Sequence, residues 1–177
     1  MESKMEKPVK NKDSNIMRTI RIEKVVLSVG GTGAGLEKGF ALLKLLTGKK
    51  PAKVISRKRI PSWNIRPNLE VGAVVTLRKN PEALLKNLLS AGDNILKKKQ
   101  MSENNFSFGI KEYIEIPGTE YQREIGIIGL DVTVVLKRSG RRVKLRKIKK
   151  GKFSKRQIIS KEEIIKFMED NFGTKFN

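Results

Sequence analysis

The side chains with the clearest chemistry in this sequence are basic, and they gather in two stretches. Residues 49–79 hold nine lysines and arginines against one acid, Glu70, and residues 141–156 hold ten and no acid. Lysine and arginine bind phosphate oxygens through charge and hydrogen bonds, so each stretch is typical of a nucleic-acid contact. A solvated surface without a ligand is the alternative. It is disfavoured because the chain has 39 basic and 18 acidic residues, a net charge of +21, and so has little acid to balance them.

Trp63, the only tryptophan, lies inside the first basic stretch, in a segment (57–68) that contains two prolines and is predicted to be a loop. An indole among cations can stack on a base or ribose while the cations hold phosphates. The alternative is that Trp63 packs beneath its own loop. The second basic stretch has few apolar residues, so we expect it to become ordered only on RNA.

A glycine-rich run, residues 30–35, stands between a predicted strand and a predicted helix, which is the position of a phosphate-binding loop. The spacing does not match one, because a G-x-G-x-x-G motif would need glycine where Leu36 or Lys38 stands, and no G-K-[ST] follows. We interpret the run as a flexible turn. Close approach of its backbone to an RNA phosphate is the alternative.

Catalytic chemistry has few candidates here. The chain has no cysteine and no histidine, which excludes disulfides, thiolate or imidazole metal sites, cysteine nucleophiles and histidine bases. Six of the acids lie between Glu103 and Asp131, but Glu112 and Glu115 are three apart in a predicted strand and would point to opposite faces. We interpret the acidic 103–131 face as a protein contact, or as a partner of the basic stretch. We expect no enzyme, no catalytic residue, no metal and no cofactor.

The length of 177 residues suits one domain. Residues 1–15 are polar and are predicted to be a disordered tail, and residues 16–177 to form a single RNA-binding domain with a basic extension at 141–158. No apolar run is long enough to span a bilayer, the start of the chain has no secretory signal, and neither basic stretch has the apolar helix face of a membrane-surface binder. The expectation is a soluble, intracellular protein.

The hydrophobic pattern predicts an α+β fold, with a mainly antiparallel sheet, helices packed on one face and the other face free for a partner. Asn80 is predicted to cap one helix, with a proline at its first position, and residues 160–163 form a capping box at another. The predicted strands are 19–29, 51–56, 71–78, 106–116 and 125–137, and the predicted helices begin near residues 36, 80 and 160.

Three short sequence motifs point to a family: NFSFGI (105–110), IPGTEY (116–121) and EIGIIGLDV (124–132). With them, the sequence resembles the universal large-subunit ribosomal protein five family, which binds 5S ribosomal RNA, over nearly all of residues 16–177. The long basic stretch after Val135 resembles the archaeal and eukaryotic form.

The resemblance implies the family's α+β fold and a structural, non-enzymatic role in the large subunit of the cytoplasmic ribosome, where the protein attaches 5S ribosomal RNA in the central protuberance. Its implied partners are 5S ribosomal RNA, large-subunit ribosomal RNA, peptidyl-site tRNA, a neighbouring 5S-binding ribosomal protein and small-subunit ribosomal protein thirteen, with no membrane. A regulatory module that uses the acidic 103–131 face away from the ribosome is the alternative. A nonspecific condenser of nucleic acid is disfavoured, because it would need neither long alternating strands nor capped helices.

The resemblance also assigns site residues. The residues assigned to 5S ribosomal RNA are Arg18, Arg21, Ser28, Lys49, Lys50, Lys53 and Arg78. Those assigned to the loop that reaches tRNA are Arg57, Lys58, Arg59, Trp63 and Arg66. The charge of the basic extension, and not the resemblance, assigns a third set to large-subunit ribosomal RNA: Arg141, Arg142, Lys144, Arg146, Lys147, Lys149 and Lys150.

Several of these or neighbouring positions depart from the family, including Glu70, where the family usually has proline, and residues 56–58, where it usually has Ala-Lys-Lys or a similar sequence. Where the family usually has Asn and Gln, this chain has Ser28 and Lys49, so that a phosphate contact by Lys49 would replace base readout. Asn68 stands where the family usually has glycine, and asparagine still tolerates a left-handed turn.

Overall fold

The fold was obtained as a computed structural model, which describes residues 15–177. The predicted disordered tail therefore lies outside the described residues except for Asn15. The side chain of Asn15 accepts a hydrogen bond from the Met17 N–H and so caps a short 3-10 helix, Ile16–Arg18, which leads into the first strand.

The elements confirm the predicted α+β architecture. Six strands form an antiparallel sheet in the order β2-β3-β1-β7-β6-β5, and two short strands, β4 and β8, pair in parallel beside it. In chain order the elements are β1 (Ile20–Gly30), α1 (Ala34–Thr47), β2 (Ala52–Ile55), β3 (Glu70–Leu77), α2 (Pro81–Ser90), β4 (Ile95–Leu96), β5 (Met101–Ser102), β6 (Asn105–Ile110), β7 (Leu130–Arg138), α3 (Arg142–Leu145), α4 (Lys161–Phe172) and β8 (Lys175–Phe176).

The core lies between one face of the sheet and the helices. Alternate residues of β1, among them Val25, Leu27 and Val29, are buried there, and so are leucines of α1 and α2. Gly39 of α1 lies against Val29, because a Cβ at Gly39 would lie 2.7 Å from Val29 Cγ1. The small residue lets the helix approach the sheet. On the opposite face, the side chains of β1, β3, β6 and β7 that alternate with the core residues are half-buried or exposed, which shows that no helix of residues 15–177 covers that face. The glycine run makes the turn from β1 to α1, with Gly33 at φ +57°.

Two predicted strands are shorter than expected, and residues 111–129 between them form a loop. The strand predicted to reach residue 116 ends at Ile110, and the one predicted from residue 125 begins at Leu130. Tyr113 is fully buried in this loop, and its hydroxyl accepts the Gln122 N–H at 2.9 Å. The reason is packing: Tyr113 and Ile116 are three apart and both buried, which fits the 3-10 turn that contains them and not an alternating strand.

Glu112 and Glu115 do not lie on opposite faces of a strand as predicted, since Glu115 is in a 3-10 turn and Glu112 immediately precedes it. The prediction for Asn80 is half right. Helix α2 does begin at Pro81, but Asn80 has φ +44° and its side chain makes no capping hydrogen bond. The capping box of α4 is confirmed, with the Ser160 N–H donating to Glu163 Oε2 at 3.1 Å and the Glu163 N–H donating to Ser160 Oγ at 3.4 Å.

Candidate nucleic-acid interface

The helix-free face of the sheet, called here the open face, is lined by short side chains. Strand register places Ala52, Val74, Ser28, Asp131 and Gly109 side by side across five strands. A shallow trough of about 470 Å³ lies there. The side chains that line the trough and offer hydroxyl or carboxylate oxygens are Ser28, Ser107, Asp131 and Thr133. The short side chains there, with the hydroxyls of Ser28 and Thr133 beside the apolar Val26 and Val74, leave room for close approach of an RNA backbone or a base edge.

Cations flank the open face at one end. Arg21 is exposed and lies directly opposite Lys137, which shares its face of the sheet. Lys24 lies opposite Val135 on the same face, after a bulge in β1. Because of the bulge, Arg21 and Ser28 lie opposite residues six steps apart on β7, Lys137 and Asp131, which corresponds to about 20 Å at about 3.3 Å per residue. The structure therefore puts a basic end and a polar centre on one surface.

The other residues assigned to 5S ribosomal RNA lie around this surface and are not gathered into one cluster. Lys49 and Lys50 are exposed just before β2, and Arg78 is exposed just after β3. Lys53 lies opposite the buried Ala73, on the helix side of the edge strand, and its Nζ is 2.7 Å from Glu70 Oε2.

Arg18, like Lys53, forms an ion pair with a carboxylate of the same chain. Its Nη2 is 3.9 Å from Glu163 Oε1. Any contact of Arg18 or Lys53 with a phosphate would compete with a carboxylate of the same chain.

The loop assigned to tRNA, residues 57–68, is a small structured hairpin. Ile60 and Ile65 pair through two backbone hydrogen bonds of 2.9 and 3.1 Å around a 3-10 turn, Pro61–Trp63. Asn68 has φ +63°, which confirms that asparagine adopts the left-handed turn.

Trp63 projects from this loop. Its side chain is 73% exposed, which argues against the alternative that the indole packs beneath its own loop. The four assigned cations of the loop are not buried, and two of them, Arg59 and Arg66, line a depression of about 240 Å³. The hairpin thus presents one aromatic surface and several charges to solvent together.

The basic extension has a defined path, with α3 and a second short turn, Lys155–Gln157. Arg141 holds the start of the extension. Its Nη1 forms an ion pair with Glu23 Oε2 at 2.5 Å and donates a hydrogen bond to the Leu136 carbonyl at 3.2 Å. The expectation that this stretch gains order only on RNA stays a prediction.

The end of the extension is held by Arg138, which also forms an ion pair with Glu163. Arg138 is only 5% exposed, and its guanidinium donates to Glu163 Oε1 at 2.7 Å and to the Arg156 carbonyl at 3.0 Å. Partial burial alone would raise the pKa of Glu163. The Ser160 hydrogen bond, the hydrogen bond and charge of Arg138, and the charge of Arg18 outweigh burial and hold the pKa of Glu163 below its ordinary value.

The acidic residues of the 111–129 loop lie on a separate surface. Glu112, Glu115, Glu120 and Glu124 are exposed on this loop. Beside it, a cleft of about 470 Å³ opens between residues 116–122 and leucines of α1 and α2. Such a mixed acidic and apolar surface suits a basic protein partner better than RNA.

In the described part of the chain, no three acidic side chains gather into a group that could hold a metal ion. Within residues 15–177, no helix is both long and apolar enough to cross a membrane.

Comparison with known sequences identifies the family. The family model described as "Ribosomal protein L5" matches residues 15–66, and the model for the C-terminus of the same ribosomal protein family matches residues 70–167. The chain belongs to the uL5 family of ribosomal proteins. The large ribosomal subunit protein uL5 of Nanoarchaeum equitans is 47% identical over 89% of this chain and 95% of its own length. Those of Sulfurisphaera tokodaii and Sulfolobus acidocaldarius are 42% and 40% identical, over 90% and 92% of this chain and 93% of each relative.

Membership of the uL5 family confirms the family resemblance and settles the broad role. The chain is a structural, RNA-binding protein of the large subunit of the cytoplasmic ribosome, and it is not an enzyme.

The open face includes polar residues that sequence reasoning did not single out. These are Thr76, Ser107 and Thr133. Asp131 also lies on the open face, opposite Ser28, although the sequence grouped it with the acidic 103–131 face. A period of two within each strand could have found them, since each alternates with buried neighbours. That pattern alone does not show which face of the finished sheet stays uncovered.

Proposed function

We propose that this uL5 protein binds 5S ribosomal RNA on the open face and attaches it to the large subunit in the central protuberance. The observation that carries the proposal is the open face itself: polar in the centre around Ser28 and Thr133, uncovered by any helix of residues 15–177, and basic at the Arg21 and Lys137 end. Short polar side chains admit the RNA backbone, and the flanking cations hold phosphates.

Two other surfaces would add contacts to this one. The basic extension, with ten cations in residues 141–156, would neutralise phosphates of large-subunit ribosomal RNA. The 57–68 loop would reach peptidyl-site tRNA, with Trp63 stacking on a base or ribose and Arg59 and Arg66 near phosphates. The exposure of Trp63 supports this role, because a stacking surface has to be free.

A second, protein-binding function is favoured by the acidic 111–129 loop. Its four exposed glutamates and the neighbouring cleft would receive a basic ribosomal protein, with small-subunit protein thirteen and the neighbouring 5S-binding protein as the candidates. A regulatory partner away from the ribosome would use the same surface and remains the alternative.

A steric block on the open face tests the main proposal. Ser107 is exposed on β6, opposite Thr133, and tyrosine is a good strand residue, so Ser107→Tyr should fold. It should weaken binding to 5S ribosomal RNA at least about tenfold, by excluding the RNA from close contact. Asn87→Tyr, exposed on α2 on the helix side, is the matched control and should bind normally.

A salt titration of the wild-type protein completes the test. If several phosphates are neutralised, log K should fall with log salt by roughly 0.7 to 0.9 per phosphate contact. A flat titration, or normal binding by Ser107→Tyr, contradicts the assignment of the open face to 5S ribosomal RNA.

A further inference from the structure

The basic extension carries apolar side chains as well as charge, and they divide into two pairs. Val143 and Phe153 are half-buried. Leu145 is 64% exposed and Ile148 is 80% exposed, so both stand in solvent among exposed lysines and arginines. Two aliphatic side chains in the most basic part of the surface need an explanation that phosphate neutralisation does not supply.

The path of the chain sets this division. The Gly151 N–H donates to the Val143 carbonyl at 3.2 Å, and a Cβ at Gly151 would lie 2.7 Å from Val143 Cγ1, so residues 143–151 close on themselves. Lys149 has φ +53°, a left-handed conformation that turns the chain back. Lys144 Nζ lies 6.0 Å from the centre of the Phe153 ring. Leu145 and Ile148 lie between the two ends of this loop and face the solvent.

The loop is also held to the body of the protein at both ends. Arg141 contacts Glu23 at its start, and Arg138 donates to the Arg156 carbonyl at its end. Because both ends of the loop are held, Leu145 and Ile148 lie in one short segment that a single occupant can contact.

Charge identifies what covers these two residues. Residues 141–156 contain ten cations and no acid, so the occupant is a polyanion, and the family role makes it RNA. RNA helices have a wide, shallow minor groove that exposes ribose, and loops expose base faces, so RNA offers apolar surface beside its phosphates.

We propose that Leu145 and Ile148 pack against ribose and base surfaces of ribosomal RNA while the neighbouring cations hold its phosphates. This inference rests on the proposed RNA-binding role of the extension. The two side chains add a contact that does not depend on salt and that depends on RNA shape. Charge alone would not let this segment distinguish one polyanion from another.

The test compares two polyanions: ribosomal RNA extracted from large subunits, and heparin, which has charge but no nucleobases. The double variant Leu145→Ser, Ile148→Ser should bind the RNA about tenfold more weakly with an unchanged salt slope, because the variant buries less apolar surface and keeps its phosphate contacts. Its heparin affinity should be unchanged.

Two further variants are matched to it. Lys147→Ser, Lys149→Ser should weaken binding to both polyanions and flatten the salt slope by roughly one unit for each phosphate that the variant no longer neutralises. Ile127→Ser, at a residue 65% exposed in the acidic 111–129 loop, removes an exposed aliphatic elsewhere and should change neither affinity.

Each other outcome has a definite meaning. Unchanged RNA affinity of the Leu145/Ile148 variant overturns the inference, and so does an equal loss for RNA and heparin, which would indicate a displaced loop. Normal RNA affinity with poor uptake into large subunits would also overturn it and would indicate a protein on the two side chains. If the wild-type protein prefers heparin to ribosomal RNA at equal salt, the proposed function fails first.

Discussion

Gly39 shows at the scale of one residue how packing overrides local preference. In α1 an alanine would favour the helix by up to about 1 kcal/mol. At Gly39, however, the new methyl would meet Val29 Cγ1 at 2.7 Å, and a β-branched side chain has little freedom to move. We expect Gly39→Ala to lower the free energy of unfolding by about 1–2 kcal/mol, since overpacking costs about 1–3 kcal/mol.

Gly35 in the same helix is the control for Gly39. A Cβ there has nothing within 4 Å, so Gly35→Ala should be neutral or stabilise the protein by up to about 1 kcal/mol. Urea unfolding followed by circular dichroism measures both. Equal effects of the two variants would show that α1 does not approach β1 as described.

At the scale of elements, one carboxylate joins β7, α4 and the end of the basic extension. Glu163 caps α4, pairs with Arg138 and lies near Arg18. We expect Glu163→Gln to lower the free energy of unfolding by about 1–3 kcal/mol at pH 7, because a buried guanidinium loses its charged partner. Because the side chain of Glu163 is about a third exposed, the expected loss of stability is smaller than the loss for a fully buried ion pair.

The same variant predicts a pH dependence. The pKa of Glu163 is lowered in the folded protein. The ionised carboxylate therefore contributes fully to stability above its pKa in the unfolded chain, about 4.3, and this contribution is lost as the pH falls through the folded pKa. The difference in stability between wild type and Glu163→Gln should be constant from about pH 6 to 8 and shrink below about pH 4. Urea titrations across this range test it, and a difference that persists unchanged at about pH 3 would mean that the charge of Glu163 is not its cause.

At the scale of the whole molecule, the 57–68 loop and the open face are separate surfaces. A substitution in one should therefore impair the binding assigned to that surface and leave the other binding intact. Changing Arg57, Arg59, Trp63 and Arg66 to alanine removes an exposed stacking surface worth about 1–3 kcal/mol, together with charges. Affinity for 5S ribosomal RNA should stay within about threefold of wild type, and ribosomes reconstituted with the variant should retain peptidyl-site tRNA about tenfold less well.

The Ser107→Tyr variant gives the comparison, because its defect should be in 5S ribosomal RNA affinity. Loss of that affinity in the loop variant, with normal tRNA retention, would reverse the two assignments. No change in either would leave Trp63 without a binding role despite its exposure.

Prediction from sequence succeeded where the signal is local. The capping box at Ser160, the left-handed Asn68 and the start of α2 at Pro81 each depend on a few neighbouring residues. It failed in the 111–129 loop, where Tyr113 looks like a strand residue by composition. The ring is fully buried and its hydroxyl meets Gln122 of the same loop, an arrangement that a strand-like composition does not reveal.

From sequence alone came the class of partner, the order of the longer strands and helices, and the absence of histidine and cysteine chemistry, because charge and periodicity are properties of the chain itself. The short elements β4, β5, α3 and β8 were not predicted. The candidate site needed the folded protein. Ser28, Val74 and Asp131 lie far apart in sequence and become neighbours through strand register. Arg138 and Glu163 likewise meet only where β7 and α4 pack. Register and packing are set by the burial of the whole core, so these neighbours are a property of the tertiary structure and not of any one segment.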